Sequence, residues 1–260
     1  MNRIRILTIA FFLCIFTLAM AYAYIPTADR ILDPLARMHR RVSTVLIHGE
    51  TTVYGKTQAG EASLVPEKLY FEYRGSVRSE RRLPGGEVIL AAQGGRIFVS
   101  GTYGDLVNLR SIEAVLPEIL LQRSTDRLIH DLSVLGVDTS VTAFDRIEQT
   151  ICYVIGRHDG TPSGSALWVE KERGLPLRFT GFIALPDGIA ALRAEYKDYG
   201  LVDKRLWFPR AVEFYRDDTL LARMDIRHIE IDPDIDAGFF NIPEVAATGT
   251  RITDFMSIKE

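Results

Sequence analysis

Four of the five histidines stand next to, or two residues before, an acidic residue, so each pair is a candidate for proton transfer. His130 and Asp131 are adjacent on a predicted helix, where neighbouring side chains point in different directions, and a solvated helix face is the simpler interpretation. His158 and Asp159 precede residues 160–165, Gly-Thr-Pro-Ser-Gly-Ser, which lack the Gly-x-Ser-x-Gly pattern of a hydrolase. A loop between two strands is favoured, and a lipid-modifying hydrolase stays as a third alternative.

Two further pairs could in principle form a zinc site. His48 and Glu50 lie on one side of a predicted strand, as do His228 and Glu230 on another. Nothing in the sequence brings these two strands together, so we expect no bound metal. Cys152 sits in an apolar strand as an inert core thiol. We therefore predict no catalytic residues, no cofactor and no enzymatic activity.

The first 23 residues have the layout of a secretory signal peptide. Arg3 and Arg5 precede an apolar run, Ile6–Ala19, which is followed by Ala21-Tyr22-Ala23. The run is shorter than the roughly 20 residues needed to span a bilayer. We predict cleavage after Ala23, export to the periplasm, and a single domain over residues 24–260.

Charge and cysteine content narrow the possible partners. The net charge is −3, and it becomes −5 without Arg3 and Arg5. This acidic balance does not favour binding of nucleic acid, which requires a basic surface. Only one of the two cysteines lies after the predicted signal peptide, so an internal disulfide is excluded. Export without a disulfide favours a bacterial envelope, and we expect a monomer.

About ten short strands with alternating apolar residues follow one another along the chain. The clearest alternation covers Glu67–Glu80, which predicts one half-buried strand. In the last strand the apolar parity changes, which predicts a bulge near Arg227-His228. Helices are predicted at Asp29–Arg41, with Asp33 as a cap for a restart at Pro34, and within Ile112–Leu135.

Short connections make these strands an antiparallel meander with one apolar face. The helices are the only internal candidates for covering that face, and they look too few for a sheet of this width. A stripe of large apolar residues is more often plain core than a ligand pocket. The residues on this face are Leu69, Phe71, Tyr73, Leu167, Val169, Leu177, Phe179, Tyr196, Met224 and Ile226.

Several blocks resemble the LolA-like superfamily of periplasmic lipoprotein and lipid carriers. The resemblance is carried by ILLQRSTDRLIHDLSVLGVD, SALWVEKERGLPLRF, WFPRAVEFY and IDPDIDAGFFNIPE, in this order. It implies an α+β fold, mainly antiparallel β: a half-open curled barrel of about eleven strands, with helices packed as a lid over the concave face.

The resemblance also implies transport without catalysis. The chain would shield acyl chains of lipoproteins or lipids in a hydrophobic cavity for transfer toward the outer membrane, with an inner-membrane exporter and an outer-membrane acceptor as candidate partners. The ten residues of the apolar face would line the cavity. Lid residues would be Leu35, Leu120, Leu128 and Leu132.

Two points stay open at this level. Family carriers latch the lid with an arginine, and the sequence does not choose among Arg74, Arg78, Arg81 and Arg82. The leading alternative function is an envelope protein-binding or regulatory module of the same fold, whose apolar face is fully internal and which carries no lipid. A deep apolar cavity would favour the carrier, and a solid interior would favour the protein-binding module.

Overall fold

The computed structural model describes residues 25–54, 62–73, 76–83, 86–93, 96–100, 119–156, 164–185, 188–204, 206–236 and 238–240. The predicted signal peptide and residues 157–163, which include His158, lie outside these ranges. Within the ranges, no helix is both long enough and apolar enough to cross a membrane.

Helix α1, Ala28–His39, agrees with the predicted helix to within two residues. Thr27 precedes it in an extended conformation, and its carbonyl accepts hydrogen bonds from two amides of the first turn. The helix continues through Pro34, so the predicted restart with Asp33 as its cap is wrong. Its apolar side, which includes Leu32 and Leu35, is fully buried.

Helix α2, Thr125–Val134, lies within the predicted helical segment Ile112–Leu135. The hydroxyl of Ser124 accepts a hydrogen bond of 3.3 Å from the Arg127 amide, which is the usual role of a serine before the first turn. Residues 119–120 are also helical, whereas residues 112–118 of the predicted helical segment lie outside the described ranges.

Fourteen strands are described. Their bounds are β1 Thr44–Tyr54, β2 Ala62–Glu72, β3 Ser76–Leu83, β4 Gly86–Gln93, β5 Arg96–Ser100, β6 Thr142–Ile147, β7 Thr150–Gly156, β8 Ala166–Glu170, β9 Pro176–Leu185, β10 Gly188–Lys197, β11 Gly200–Val202, β12 Leu206–Phe208, β13 Ala211–Arg216 and β14 Thr219–Ile231.

Twelve strands form one antiparallel sheet in the order β5-β4-β3-β2-β1-β14-β13-β10-β9-β8-β7-β6. Strands β11 and β12 form a separate ribbon. The first strand pairs with the last, so two meanders meet at the centre of the sheet. In the described part of the chain β5 and β6 end the sheet without pairing with each other, which leaves it curled but unclosed. The predicted fold class is confirmed, with twelve strands in place of about eleven.

The predicted strand Glu67–Glu80 is wrong as a single element. It is a hairpin: β2 ends at Glu72 and β3 begins at Ser76, with Phe71 opposite Val77. Odd-numbered residues of β2 lie opposite odd-numbered residues of β3, so the alternation of apolar residues continues unchanged through the turn. The alternation alone therefore could not show the reversal of direction.

The predicted bulge in β14 is confirmed. His48 pairs with His228, whereas Gly49 pairs with Ile226, so Arg227 is the extra residue. The extra residue shifts the parity of the strand. Apolar side chains before and after it consequently face the same core.

The two faces of the sheet differ sharply. The face toward α1 and α2, here called the covered face, carries the main apolar core. The opposite face, here called the open face, carries ion pairs that cross neighbouring strands. Arg178 Nη2 lies 2.9 Å from Glu195 Oε1, and Arg223 Nη1 lies 2.7 Å from Glu213 Oε1. The larger apolar surface of the sheet is therefore on the covered face.

Candidate functional site

Nine of the ten residues predicted to line a cavity lie on the covered face, in one apolar cluster with the helices. All four predicted lid residues belong to the same cluster. Strands from both meanders thus converge under the helices. The nine are Leu69, Phe71, Tyr73, Leu167, Val169, Phe179, Tyr196, Met224 and Ile226.

Leu177 is the exception, since it packs with Trp168 on the open face. Trp168 pairs with Arg178 and Val169 with Pro176, so Leu177 is the extra residue of a bulge in β9. In such a bulge two residues lie opposite one residue of the neighbouring strand. The side chains of both, here Leu177 and Arg178, point to the face that carries Trp168. The Pro176 at the start of the strand was the only sequence signal for this irregularity.

Sequence reasoning missed part of the covered face. Phe208 and Phe214 are as deeply buried there as the predicted residues. Both lie in Trp207–Arg216, whose alternation predicts one strand, whereas in the structure a break at Pro209 separates β12 from β13. The lid is also larger than predicted, because Ile119 and Leu121 are fully buried beside Leu120.

The covered face is packed. Of the nine residues on it, all except the half-buried Tyr73 are between 0 and 8% exposed. Two cavities stand out in the described part of the chain, and both lie at the margins. One, of about 310 Å³, lies between α1 and the β8–β9 turn; the other, of about 350 Å³, lies between the β11–β12 ribbon and β14. The predicted deep apolar cavity is not among them.

Polar contacts at one end fasten the helices to the sheet. Tyr73 Oη, at the end of β2, forms a hydrogen bond of 2.7 Å with His39 Nδ1, at the end of α1. The Arg123 guanidinium stands 4.8 Å from the centre of the Tyr73 ring, and its Nη2 donates 2.6 Å to the Arg40 carbonyl. We call His39, Tyr73 and Arg123 the clamp.

Burial sets the charge states within the clamp. It lowers the pKa of His39 to about 3, with a smaller contribution from the Arg123 guanidinium. Burial also raises the pKa of Tyr73 above its ordinary value. The imidazole and the phenol are therefore neutral at physiological pH, and Arg123 supplies the only charge.

One ion pair lies within the covered face. Arg81 Nη2 is 3.0 Å from Glu67 Oε1, and both side chains are about 95% buried. The same carboxylate accepts hydrogen bonds from Ser79 at 2.6 Å and Thr51 at 3.0 Å. Arg81, one of the four latch candidates, is thus held inside the sheet, whereas Arg78 binds Glu80 and the Phe239 carbonyl.

The Tyr196 hydroxyl is a polar atom without a partner at the core. The residue is 2% exposed, and among the described residues its Oη has no hydrogen-bond partner. Burial raises the pKa of this phenol, which is therefore neutral. Its neighbour in sequence, Tyr199, instead donates 2.6 Å to the Pro176 carbonyl. A buried hydroxyl left unpaired costs roughly 1–3 kcal/mol, so the Tyr196 hydroxyl remains available to donate a hydrogen bond at the covered face.

The structure brings together the two histidine pairs that the sequence left apart. His48 lies opposite His228, and both approach Glu230 Oε1, at 3.2 and 3.8 Å from their Nε2 atoms. Within the described ranges, however, no group of three or more His, Cys, Asp or Glu residues is arranged to hold a metal ion. Cys152 is buried and free.

Comparison with solved structures identifies the architecture. A domain described as an outer membrane lipoprotein-sorting protein, from Vibrio parahaemolyticus, aligns with 82% of this chain and 95% of its own, at 9% identity and a TM-score of 0.52. A LolA superfamily protein from Nitrosomonas europaea aligns over 83% and 98%, at 11% identity and a TM-score of 0.52. The fold is LolA-like.

At these identities the likeness concerns the LolA-like fold alone. No protein-family model matches the sequence, and no curated protein matches it. The comparisons thus agree with the resemblance seen in the sequence blocks. They leave the function of this chain to be inferred from its own residues.

Proposed function

We propose that this chain is an exported carrier that binds acyl chains of a lipid or lipoprotein between the covered face and the helices. It performs no catalysis. The signal peptide over residues 1–23, the single domain over residues 24–260 and the periplasmic location belong to this proposal. The packed arrangement is the cargo-free state of the protein, in which the helices fill the space on the covered face that the cargo would otherwise occupy.

The proposal rests on the kind of secondary structure that covers the apolar face. A second sheet would close the face permanently, whereas here short helical segments close it, and the clamp holds one end of them. A long acyl chain loses about 0.8 kcal/mol per CH₂ on exposure to water, so a chain of sixteen carbons gains on the order of 10 kcal/mol beneath the cover. That gain is comparable with the burial of several of the leucine and isoleucine side chains of the helices, so cargo and helices compete for the same apolar surface.

The unpaired Tyr196 hydroxyl supports the same conclusion. Cargo with an ester or amide group brings a carbonyl oxygen that can accept a hydrogen bond from this hydroxyl. The Vibrio parahaemolyticus domain of the same fold is described as lipoprotein-sorting, and a lipoprotein is cargo of this class. An inner-membrane exporter and an outer-membrane acceptor would load and unload the carrier.

The proposal is tested by lipid uptake in clamp variants. Tyr73→Phe removes the hydroxyl that binds His39, which should open the helices more often and raise uptake of a dansyl-labelled fatty acid. Tyr215→Phe is the matched control, because its hydroxyl binds Glu213 on the open face. Mass spectrometry of extracts from gently purified protein should show bound lipid. Absence of lipid, with no dye uptake by any variant, would contradict the proposal.

The packed interior favours a second candidate function, an envelope module that binds a partner protein and carries no lipid. The covered face would then be ordinary core, as its low exposure allows. The same extraction separates the two candidates. A protein-binding module would release no lipid, and Tyr73→Phe would lower its stability without changing dye uptake.

A further inference from the structure

Strand β14 is longer than its neighbour β13, which leaves part of one edge unpaired. The two strands pair as far as Ala211 opposite Asp225, and the Arg210 carbonyl still accepts a hydrogen bond from the Ile226 amide. Upstream of this point the chain turns away, because β12 pairs with β11. Among the described strands none pairs with residues 227–231 on this side. We call these residues the β14 edge.

Backbone groups of two isoleucines point toward this edge. The Asp232 amide donates 2.9 Å to the Thr44 carbonyl on β1. Alternate residues of an antiparallel strand bond to opposite neighbours. Glu230 and His228 therefore also direct their backbone groups toward β1. Ile229 and Ile231 therefore direct their N–H and C=O groups away from β1.

A groove of about 350 Å³ runs beside the β14 edge. Ile226 and Ile229 form its apolar wall on the side of the sheet, and Leu201, Val202 and Phe208 form the wall on the ribbon. Leu201 is 46% exposed, although it is a large apolar residue. The volume is at the lower end of the range for ligand sites and suits a few residues of extended chain.

The rim carries an uncompensated positive charge. Arg210 is exposed, its guanidinium lies over Gly200, and it has no acidic partner in the part of the chain that the structure describes. Arg227 is already bound to Glu50, with 2.8 Å between Nη2 and Oε2. Asp203 also lines the groove, and it already interacts with another group. The groove therefore favours a ligand with a carboxylate.

We infer that the β14 edge binds an extended segment of a partner protein, with alternating apolar residues and at least one acidic residue. The segment adds a short strand to β14 through Ile229 and Ile231, buries apolar side chains against Leu201 and Phe208, and places its carboxylate at Arg210. Strand addition at a sheet edge is an established mode of peptide recognition. This inference does not depend on lipid carriage.

The test uses the peptide acetyl-Thr-Val-Glu-Val-Asp-Val-Thr-amide and the full mature chain. Calorimetry should show saturable one-to-one binding, and hydrogen exchange should show new protection of the Ile229 and Ile231 amides. Arg210→Glu should weaken binding about three- to tenfold, since a rim ion pair contributes modestly. The same variant should bind acetyl-Thr-Val-Lys-Val-Lys-Val-Thr-amide better than wild type does. Arg146→Glu, exposed on β6, is the matched control and should change neither affinity.

A second variant tests the backbone contact. Ile231→Pro removes one amide donor at the β14 edge, where proline is tolerated, and should weaken binding about tenfold while the fold remains. Absence of binding by both peptides would overturn the inference. Binding that ignores Arg210→Glu and Ile231→Pro would overturn it as well, as would dimerisation of the chain through this edge in light scattering.

Discussion

His39 Nδ1 and Tyr73 Oη lie 2.7 Å apart, and this hydrogen bond joins the last residue of α1 to the end of β2. His39 is completely buried, and its Nε2 has no partner among the described residues. The imidazole is thus neutral and cannot take up a proton without exposing itself to water. The contact that closes the helices over the sheet is consequently sensitive to acid.

Acid should weaken the fold through His39. Its pKa of about 3 lies below the unfolded value near 6.5, so the unfolded chain binds the extra proton between these values. The stabilisation is complete above pH 6.5 and is lost as pH falls toward 3, at about 1.4 kcal/mol per pH unit. Urea unfolding at several pH values measures this slope. His39→Gln should remove the part of this slope that one proton contributes. An unchanged slope would show that His39 is not the cause of the loss of stability in acid.

Removal of the Tyr196 hydroxyl should not destabilise the cargo-free protein. Tyr196→Phe deletes an unpaired buried group and should raise the free energy of unfolding by about 1 kcal/mol. Tyr199→Phe, which loses the bond to the Pro176 carbonyl, should lower it by about 1 kcal/mol. Lipid that co-purifies should fall in the first variant alone. Equal destabilisation by both changes would mean that Tyr196 has a partner.

The buried ion pair should show strong coupling in a double-mutant cycle. Arg81→Met leaves the Glu67 carboxylate buried without its cation and should cost about 3–5 kcal/mol of stability. Adding Glu67→Gln neutralises the carboxylate. Its amide oxygen can accept from one of the Ser79 and Thr51 hydroxyls and its NH₂ can donate to the other, so most of this loss should be recovered. Chemical unfolding of the four proteins gives the coupling energy. Additive losses would refute the assigned contact.

The bulge in β14 should depend on the absence of a side chain at Gly49. A Cβ there would stand 3.1 Å from the Asp225 carbonyl oxygen and 3.1 Å from Met224 Cε. The side chain can move, whereas the backbone of β14 is held by its neighbours. Gly49→Ala should therefore cost about 1–2 kcal/mol in thermal unfolding. A neutral result would show that the strands separate there easily.

Alternation of apolar residues was sufficient to locate the covered face. Leu167, Val169, Met224 and Ile226 were placed on one side correctly, because parity in a strand follows directly from backbone geometry. The same principle located the bulge, since Ile229 breaks the parity of Ile226. These results need no knowledge of which strands pair.

Features that depend on pairing could not be predicted. His48 and His228 are 180 positions apart, and only the pairing of β1 with β14 places them side by side. Leu177 left the expected face because a bulge reverses its side. The partners of Tyr73 and the packed interior likewise depend on where the helices lie, which periodicity does not encode.

Photoaffinity labelling with a diazirine fatty acid tests the central claim most directly, because the label marks the side chains that surround the bound chain. The account predicts adducts, mapped by peptide mass spectrometry, on Phe71, Met224 and Leu128, which lie on the covered face and the lid. Adducts confined to residues exposed elsewhere, such as Leu64 and Ile151, or no adducts at all, would contradict it.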